Sequence, residues 1–556
     1  MLLISLNPVT GINTRIIKRL QHPVALIVAG LFLGLTQHFS QFSPLCVLAL
    51  MPVFLLLEDG NRPTGSLTKR LLLYGVSFTL TEAAWMVPFG VFKMIALGLC
   101  NGVLLFLFLV PAVLSHHQKG NLFLTHSSLV LGWLAYEIFQ QQWTLAYPLI
   151  SLGTSFGAYP NFIKWYSVTG SLGGTLWALA CSALVAEGLL TYLNGKRLRK
   201  SFIWRWSAFV IVLPMLGLLS IGYQNVSNTG WVSVAVIHPN LDVRSTRLSM
   251  NGLQTSQYYA DLVDHAIQNE AAPKWIFCPE NALPDLGWKG SIQQNRFTSD
   301  ISPLRETVSG TSATVFIGGF YYEDVTDRYT SEYSNHSPDR KHRYKAYNSI
   351  AGVTGEGAYL VHTKDRLVPF EEFLPGDRKV INFVQQLVPR VGATGFYLTP
   401  GAHLNQYGRN HSKIANLICY ESLFSLETAA RLRSHDPQLL AVHLNEGWYD
   451  NYVGANKFAT HGVVRAIESS RSVIRSSNRG ISSIIDPAGN TISRTDSKTN
   501  PSILYADLSL HTGPTIFVRF TSVALPYLVY TAWIATIFML GLNARWYKRK
   551  PAGEKR

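Results

Sequence analysis

Three residues of this 556-residue chain stand where short apolar runs end in reactive side chains. Glu280 follows Phe277-Cys278-Pro279. Lys364 opens Lys364-Asp365-Arg366-Leu367-Val368-Pro369-Phe370. Cys419 follows Leu417-Ile418 and precedes Tyr420-Glu421. A thiolate attacks a carbonyl carbon well, but it needs a base or a nearby cation to form. A carboxylate can take the thiol proton and return it to a leaving group. An ammonium, helped by the backbone N–H of Tyr420, can stabilise the oxyanion of a tetrahedral intermediate. On a strand-to-helix turn, Cys419 also faces the positive end of the helix. The set suits acyl transfer through a thioester. It does not suit phosphoryl transfer, because no phosphate-cradling loop accompanies it. Singly, each residue is commonplace: a buried thiol, a surface carboxylate, a solvated lysine. Together, with their flanks, they carry the argument.

The elements around them read as α/β. Strands are expected over 231–236, 274–278, 314–322, 413–419, 439–444, 472–474 and 481–486. Helices are expected over 256–268, 424–434 and 462–470. Strands alternating with helices imply a sheet covered by helices. Residues 225–514, about 290 in all, are expected to form one such extramembrane domain, which is large but acceptable. The polar stretch 324–343 reads as a mobile insertion.

The rest of the chain is apolar. Charged residues make up 15%, against about 25% in a soluble domain. Apolar runs near 24–40, 42–58, 71–90, 92–114, 123–141, 164–193, 203–223 and 518–543 predict about eight spans, each needing about 20 residues. The predicted division is 1–224 transmembrane, 225–514 extramembrane, and 515–556 a last span with a basic tail. Lys196, Arg197, Arg199, Lys200 and Arg205 fill one loop, and the tail carries Arg545, Lys548, Arg549, Lys550, Lys555 and Arg556. Basic segments stay cytoplasmic, which places 225–514 on the opposite face. The net charge of +15 is thus an orientation signal first, and nucleic-acid binding is not expected. No cleavable signal peptide is evident. Glu82, Glu137 and Glu187 fall inside spans, where a charge is costly and marks a functional, pairing or interfacial position. Five cysteines without regular spacing argue against a disulfide framework and a CxxC zinc site.

The segments around Glu280, Lys364 and Cys419 resemble the nitrilase (carbon–nitrogen hydrolase) superfamily. With spans before and after them, the chain resembles the apolipoprotein N-acyltransferase family. Glu137, Tyr147-Pro148-Leu149, Gly153 and Thr169-Gly170 are similar to that family's membrane motif. Asn445-Glu446-Gly447-Trp448-Tyr449, Arg465-Ala466-Ile467-Glu468 and the loop 475–480 match it in type and order. Cys278 stands where the family more often has Trp, and Glu446-Gly447 where it more often has Asp-Ala.

The resemblance implies a nitrilase-like α-β-β-α sandwich joined to a polytopic helical membrane domain. It implies Glu280 as base, Lys364 as oxyanion stabiliser and Cys419 as nucleophile. Glu372 would orient the lysine, and Tyr420 and Glu421 would support the site. Trp448 and Tyr449 would lie on a mobile arm at the lipid entrance, and with Trp288 would shelter an acyl chain. The acyl chain would pass from a phospholipid to the α-amino group of a diacylglyceryl-cysteine at the N-terminus of a lipoprotein, with no metal or organic cofactor. A bacterial inner-membrane monomer with a periplasmic catalytic domain is expected. A membrane-anchored amidase using water, or an inactive scaffold or transporter, is the alternative. A Cys278–Cys419 disulfide would silence the nucleophile and is not expected.

Overall fold

The computed structural model describes residues 12–58, 63–116, 122–193, 200–218, 222, 225–242, 250–269, 272–288, 301–326, 334–337, 341–374, 397–401, 414–449, 451–495 and 500–549. The chain divides into two compact units. One comprises Met1–Gln142, Tyr147–Gly222 and Arg519–Arg556; the other comprises Trp143–Ala146 and Tyr223–Val518.

The first unit is helical. Helices Pro23–His38, Cys46–Leu57, Thr64–Ala83, Val91–Ser115, Leu122–Phe139, Ser171–Leu193, Lys200–Leu218 and Ser522–Arg549 occupy the eight apolar positions. Among the described residues, five helical stretches are long and apolar enough to cross a bilayer by themselves: Ser40–Leu57, Thr64–Phe89, Val91–Ser115, Ser171–Leu193 and Phe517–Leu540. The span expected over 164–193 is not continuous. A single turn, Tyr166–Thr169, stops at Gly170, and the long helix begins at Ser171. The basic residues at 196–199 and beyond 549 lie outside the described residues. Glu82, Glu137 and Glu187 are all buried. The Glu137 carboxylate accepts from Leu152 N (3.0 Å), Trp133 Nε1 (3.2 Å), Ser151 Oγ (2.8 Å) and Thr175 Oγ1 (2.8 Å). Four donors replace the water it has lost and tie three segments to one side chain.

The second unit holds two sheets. Its strands are β1 (Ser227–His238), β2 (Trp275–Phe277), β3 (Gly287–Trp288), β4 (Thr314–Asp324), β5 (Asn335–His336), β6 (Arg343–Thr354), β7 (Gly357–Thr363), β8 (Ile414–Ile418), β9 (Leu439–Leu444), β10 (Ser472–Ser477), β11 (Ser483–Ile485), β12 (Thr491–Arg494) and β13 (Ser502–Thr512). The first sheet runs β13-β1-β2-β4-β6-β5, with β3 on β4 and β7 on β6; the second runs β12-β11-β10-β9-β8. Alternate residues point to opposite faces of a strand. Val234, Val236, Phe277, Phe316 and Ile350 therefore meet Ile418, Ala441, Ile474 and Ile484 between the sheets. Their neighbours Ala235, Ile237, Ile276, Val315 and Ile317 face outward. There Tyr259 and Val263 of helix Gly252–Ile267 cover them, with Leu304 and Val308 of helix Ser302–Val308. Helix Tyr452–Ser469 packs on β10 and β11, and Ser425–His435 lies against it. The result is the four-layer α-β-β-α sandwich.

Six of the described strands, β3, β5, β6, β7, β12 and β13, had no expected counterpart. The β6–β7 hairpin is buried along most of β6, so its sequence lacks the polar alternation of a half-exposed strand. β13 pairs with β1 over eleven register positions yet is only half-buried. The polar stretch 324–343 is partly sheet, because β5 pairs with β6 through Asn335–Tyr344. Residues 327–333 and 338–340 lie outside the described residues.

Candidate active site

Each reactive residue follows a strand end. The chain leaves β2 at Phe277 and turns through Cys278-Pro279-Glu280, with Asn281 at φ +51°. This turn lies directly on β4. A Cβ on Gly318 would stand 2.6 Å from the Pro279 carbonyl oxygen and 2.8 Å from Glu280 Cα. Only glycine permits that approach. Lys364 follows β7, and its N–H donates to the Asn348 carbonyl on β6 at 2.8 Å. Cys419 follows β8 and opens the 3₁₀ turn Cys419–Leu423 in a left-handed conformation, φ +49°. A non-glycine residue held there is costly, and such strain clusters at functional sites.

Lys364 is buried, and its Nζ lies 2.8 Å from Glu372 Oε1 and 3.3 Å from Glu280 Oε1. Asn348 Nδ2 donates to the same Glu280 oxygen at 2.7 Å. The other oxygen of Glu372 accepts from Val368 N at 2.7 Å. Two carboxylates thus share one ammonium. Burial alone would lower the Lys364 pKa, but Glu280, Glu372 and Cys419 outweigh it and hold the amine above its ordinary range. Burial pushes the Glu372 carboxyl up; Lys364 opposes this and the Glu280 charge adds to it. Burial also pushes the Cys419 thiol well up, with Glu280 and Glu372 adding and Lys364 opposing. The resting nucleophile is therefore a thiol, and a base must act as it attacks.

Glu421 is buried in the same turn, two residues after the nucleophile. It accepts from Ile418 N (2.8 Å), Asp365 N (2.9 Å), His362 Nε2 (2.7 Å) and Arg431 Nη2 (2.9 Å). His362 and Arg431 outweigh the effect of burial and hold its carboxyl below the usual range. Tyr420 donates its hydroxyl to the Ala146 carbonyl, and its ring meets Phe424 edge-on at 4.9 Å.

The expected aromatic positions lie on two elements, the turn Glu446–Trp448 with the residue after it, and β3. Trp448 is half-buried at the end of the turn Glu446–Trp448. Tyr449 points inward, donating to Glu446 Oε1 at 3.1 Å and stacking on Phe458. Trp288 is 43% exposed on β3, with its ring over Tyr322 at 5.3 Å and against Tyr344 at 6.0 Å. Cys278 and Cys419 are both free thiols. Among the described residues no group of three or more His, Cys, Asp or Glu has metal-binding geometry.

The sequence reading missed Asn348, His362 and Arg431. Asn348 and His362 had one available signal: each is a polar residue inside an apolar strand. Arg431 sits mid-helix in Ser425–His435 and had none.

A model of the apolipoprotein N-acyltransferase N-terminal domain matches residues 29–184, and a carbon–nitrogen hydrolase model matches residues 314–514. The apolipoprotein N-acyltransferase of Chlorobaculum tepidum is 24% identical over 508 residues, covering 88% of this chain and 91% of that one. That of Vibrio parahaemolyticus is 23% identical over 562 residues, covering 96% and 98%. That of Bradyrhizobium diazoefficiens is 33% identical over 208 residues, covering 37% of each. With both halves matched and its reactive residues gathered at the strand ends of the sandwich, this membrane-embedded chain belongs to the apolipoprotein N-acyltransferase family of the nitrilase superfamily.

Proposed function

We propose that the protein transfers a fatty acyl chain from a phospholipid, through a thioester on Cys419, to the α-amino group of a lipoprotein's N-terminal diacylglyceryl-cysteine. The observation that carries this reading is the Lys364 ammonium within 3.3 Å of Glu280 and 2.8 Å of Glu372, with all three charges acting on the Cys419 thiol.

Glu280 takes the proton of Sγ as sulfur bonds to the donor's ester carbonyl. The carbonyl oxygen becomes an oxyanion facing Lys364 Nζ and the Tyr420 N–H. As the intermediate collapses, the C–O bond breaks, and Glu280 returns its proton to the leaving alkoxide. A neutral amine then attacks the thioester and loses its proton to Glu280. Collapse forms the amide and expels the sulfur, which recovers the proton. Glu372 keeps the lysine aimed. Trp448 and Trp288 give the acyl chain apolar surface, and Tyr449 braces that arm from within. A dry site keeps water from the thioester. In this reading the catalytic domain faces the periplasm of an inner membrane, where both lipid substrates lie, and the protein works as a monomer.

Alkyne-tagged phospholipid tests it. The expected result is a hydroxylamine-labile acyl adduct on Cys419, discharged by an amine-bearing diacylglyceryl lipopeptide as an N-acyl product. Release of free fatty acid without that product would point instead to an amidase with water as acceptor. Absence of any adduct would end the thioester reading.

A further inference from the structure

His443 lies on β9, fully buried between the sheets and directly opposite Ile418 of β8. Its Nδ1 is 2.7 Å from the Cys278 carbonyl oxygen of the first sheet, and its Nε2 is 2.9 Å from Asn416 Oδ1. We propose that His443 is a positioning residue, holding the Cys278-Pro279-Glu280 turn in place relative to Cys419. The inference rests on Glu280 acting as the base for Cys419.

The chemistry of the contacts fixes the form of the ring. A carbonyl oxygen only accepts, so Nδ1 carries a proton. Burial holds the imidazole pKa down to about 4, with the Cys278 hydrogen bond opposing and His362 adding to the fall. The ring is therefore neutral, and Nε2 is a bare acceptor. Its partner must donate. Asn416 Nδ2 has no other partner among the described residues, and turning the amide so that Nδ2 faces Nε2 satisfies both groups. The carbonyl two residues before Glu280 thus fixes the tautomer, and the amide on the nucleophile strand completes the bridge between the sheets. The Cys278 N–H is bonded to Phe316 O (2.8 Å) and Pro279 has no N–H to offer. Ser476 of β10, the register partner of His443, donates to the Ile237 carbonyl of β1 at 2.9 Å, and Glu421 ties the segment of Lys364 to the turn of Cys419; the remaining inner faces meet through apolar packing, which is non-directional. Glu280 and Lys364 belong to one sheet and Cys419 to the other, and the His443 link is the one that grips the turn leading into Glu280.

Rates of Cys419 alkylation by iodoacetamide test this, read on the Cys419 peptide by mass spectrometry. The proteins are the full-length wild type, His443→Asn, His443→Gln and, as a base-free reference, Glu280→Gln. An Asn amide can occupy the Nδ1 position and keep the Cys278 bond; a Gln amide reaches only toward Asn416. Alkylation of His443→Gln is expected to fall at least about tenfold, toward the Glu280→Gln rate, because displacement by ~1 Å costs up to about 10²-fold. His443→Asn is expected to recover most of that loss. Should His443→Gln fail to fold, His443→Leu, which keeps the apolar volume, takes its place. A wild-type rate in the Gln or Leu protein, or an Asn protein as slow as either, overturns the inference. The acyl adduct is scored separately on wild type. Loss of the adduct with the alkylation pattern intact defeats acyl transfer and leaves the positioning role standing. An adduct without the pattern does the reverse.

Discussion

The backbone N–H of Ile418 donates to the Glu421 carboxylate at 2.8 Å, closing the residue before the nucleophile and the residue two after it around Cys419. The same carboxylate holds Asp365 N, next to Lys364, the buried His362 side chain and the half-buried Arg431 side chain. It thereby joins the lysine's segment to the cysteine's turn. Replacing Glu421 by Ala removes the carboxylate that His362, Asp365 N and Ile418 N share, while Arg431 keeps Asp365 at 3.1 Å and Glu427 at 3.6 Å, so the cost falls below the about 3–5 kcal/mol of a fully uncompensated buried charge. Glu421→Ala is expected to lower the melting temperature and to slow formation of the acyl adduct, with Glu421→Gln milder on both. The pH dependence has a definite sign. The folded carboxyl titrates below its unfolded value of about 4.3. Its contribution is therefore full above that pH and is lost as pH falls toward the folded value. Thermal melts of wild type and Glu421→Gln between pH 7 and pH 3 should converge only at the acid end.

Cys419→Ala should abolish acyl labelling, whereas Cys278→Ala should retain it. Cys278 is buried, and burial pushes its thiol above the range where it would act. Because the Cys419 thiol is also held up, wild-type alkylation should accelerate as pH rises. Mass spectrometry of the labelled peptide settles which sulfur carries the chain.

Lys364 should behave as a fixed cation. Its folded pKa lies above the unfolded value of about 10.4. Its contribution to stability is complete below that value and disappears only as pH rises through the folded one. The rate of adduct formation should thus show no alkaline fall from this lysine below about pH 10. Lys364→Met removes the oxyanion partner, and loss of one such donor costs about 10²–10³ in rate. It also leaves Glu280 and Glu372 facing each other without a cation, so Lys364→Met with Glu372→Gln should melt higher than Lys364→Met alone.

The three reactive positions were legible because each ends an apolar run, and a strand that stops at a titratable residue leaves that residue at the sheet's edge. The expected strands at 314–322 and 439–444 coincide closely with β4 and β9 for the same reason. The β6–β7 hairpin was not legible, since burial on both faces erases the period of two. Nor were Asn348, His362, Arg431 and His443 recognised. Their roles come from register and helix placement: His443 matters because it stands opposite Ile418, a fact of pairing that no local sequence pattern carries.

Gly480 closes the loop that Glu446 organises. Glu446 is buried and accepts from Arg475 Nη2 (3.3 Å), Ser477 Oγ (3.1 Å), Ile481 N (2.8 Å) and Tyr449 OH (3.1 Å). Gly480 sits at φ +102°, and a Cβ there would stand 2.2 Å from Glu446 Oε2. Alanine at this position meets two penalties at once. The backbone conformation disfavours any side chain, by about 1–3 kcal/mol, and the new methyl must push aside the carboxylate that pairs with Arg475. Gly480→Ala is therefore expected to lower the melting temperature by several degrees, since each kcal/mol is worth about 2–4 °C in a domain of this size. The displaced carboxylate would also release Tyr449, which braces the turn bearing Trp448. If that turn helps to seat the acyl chain, Gly480→Ala should raise the phospholipid concentration needed for half-maximal labelling at temperatures where the protein remains folded. A variant that melts lower but labels with unchanged donor dependence would separate the loop's structural role from the acyl site.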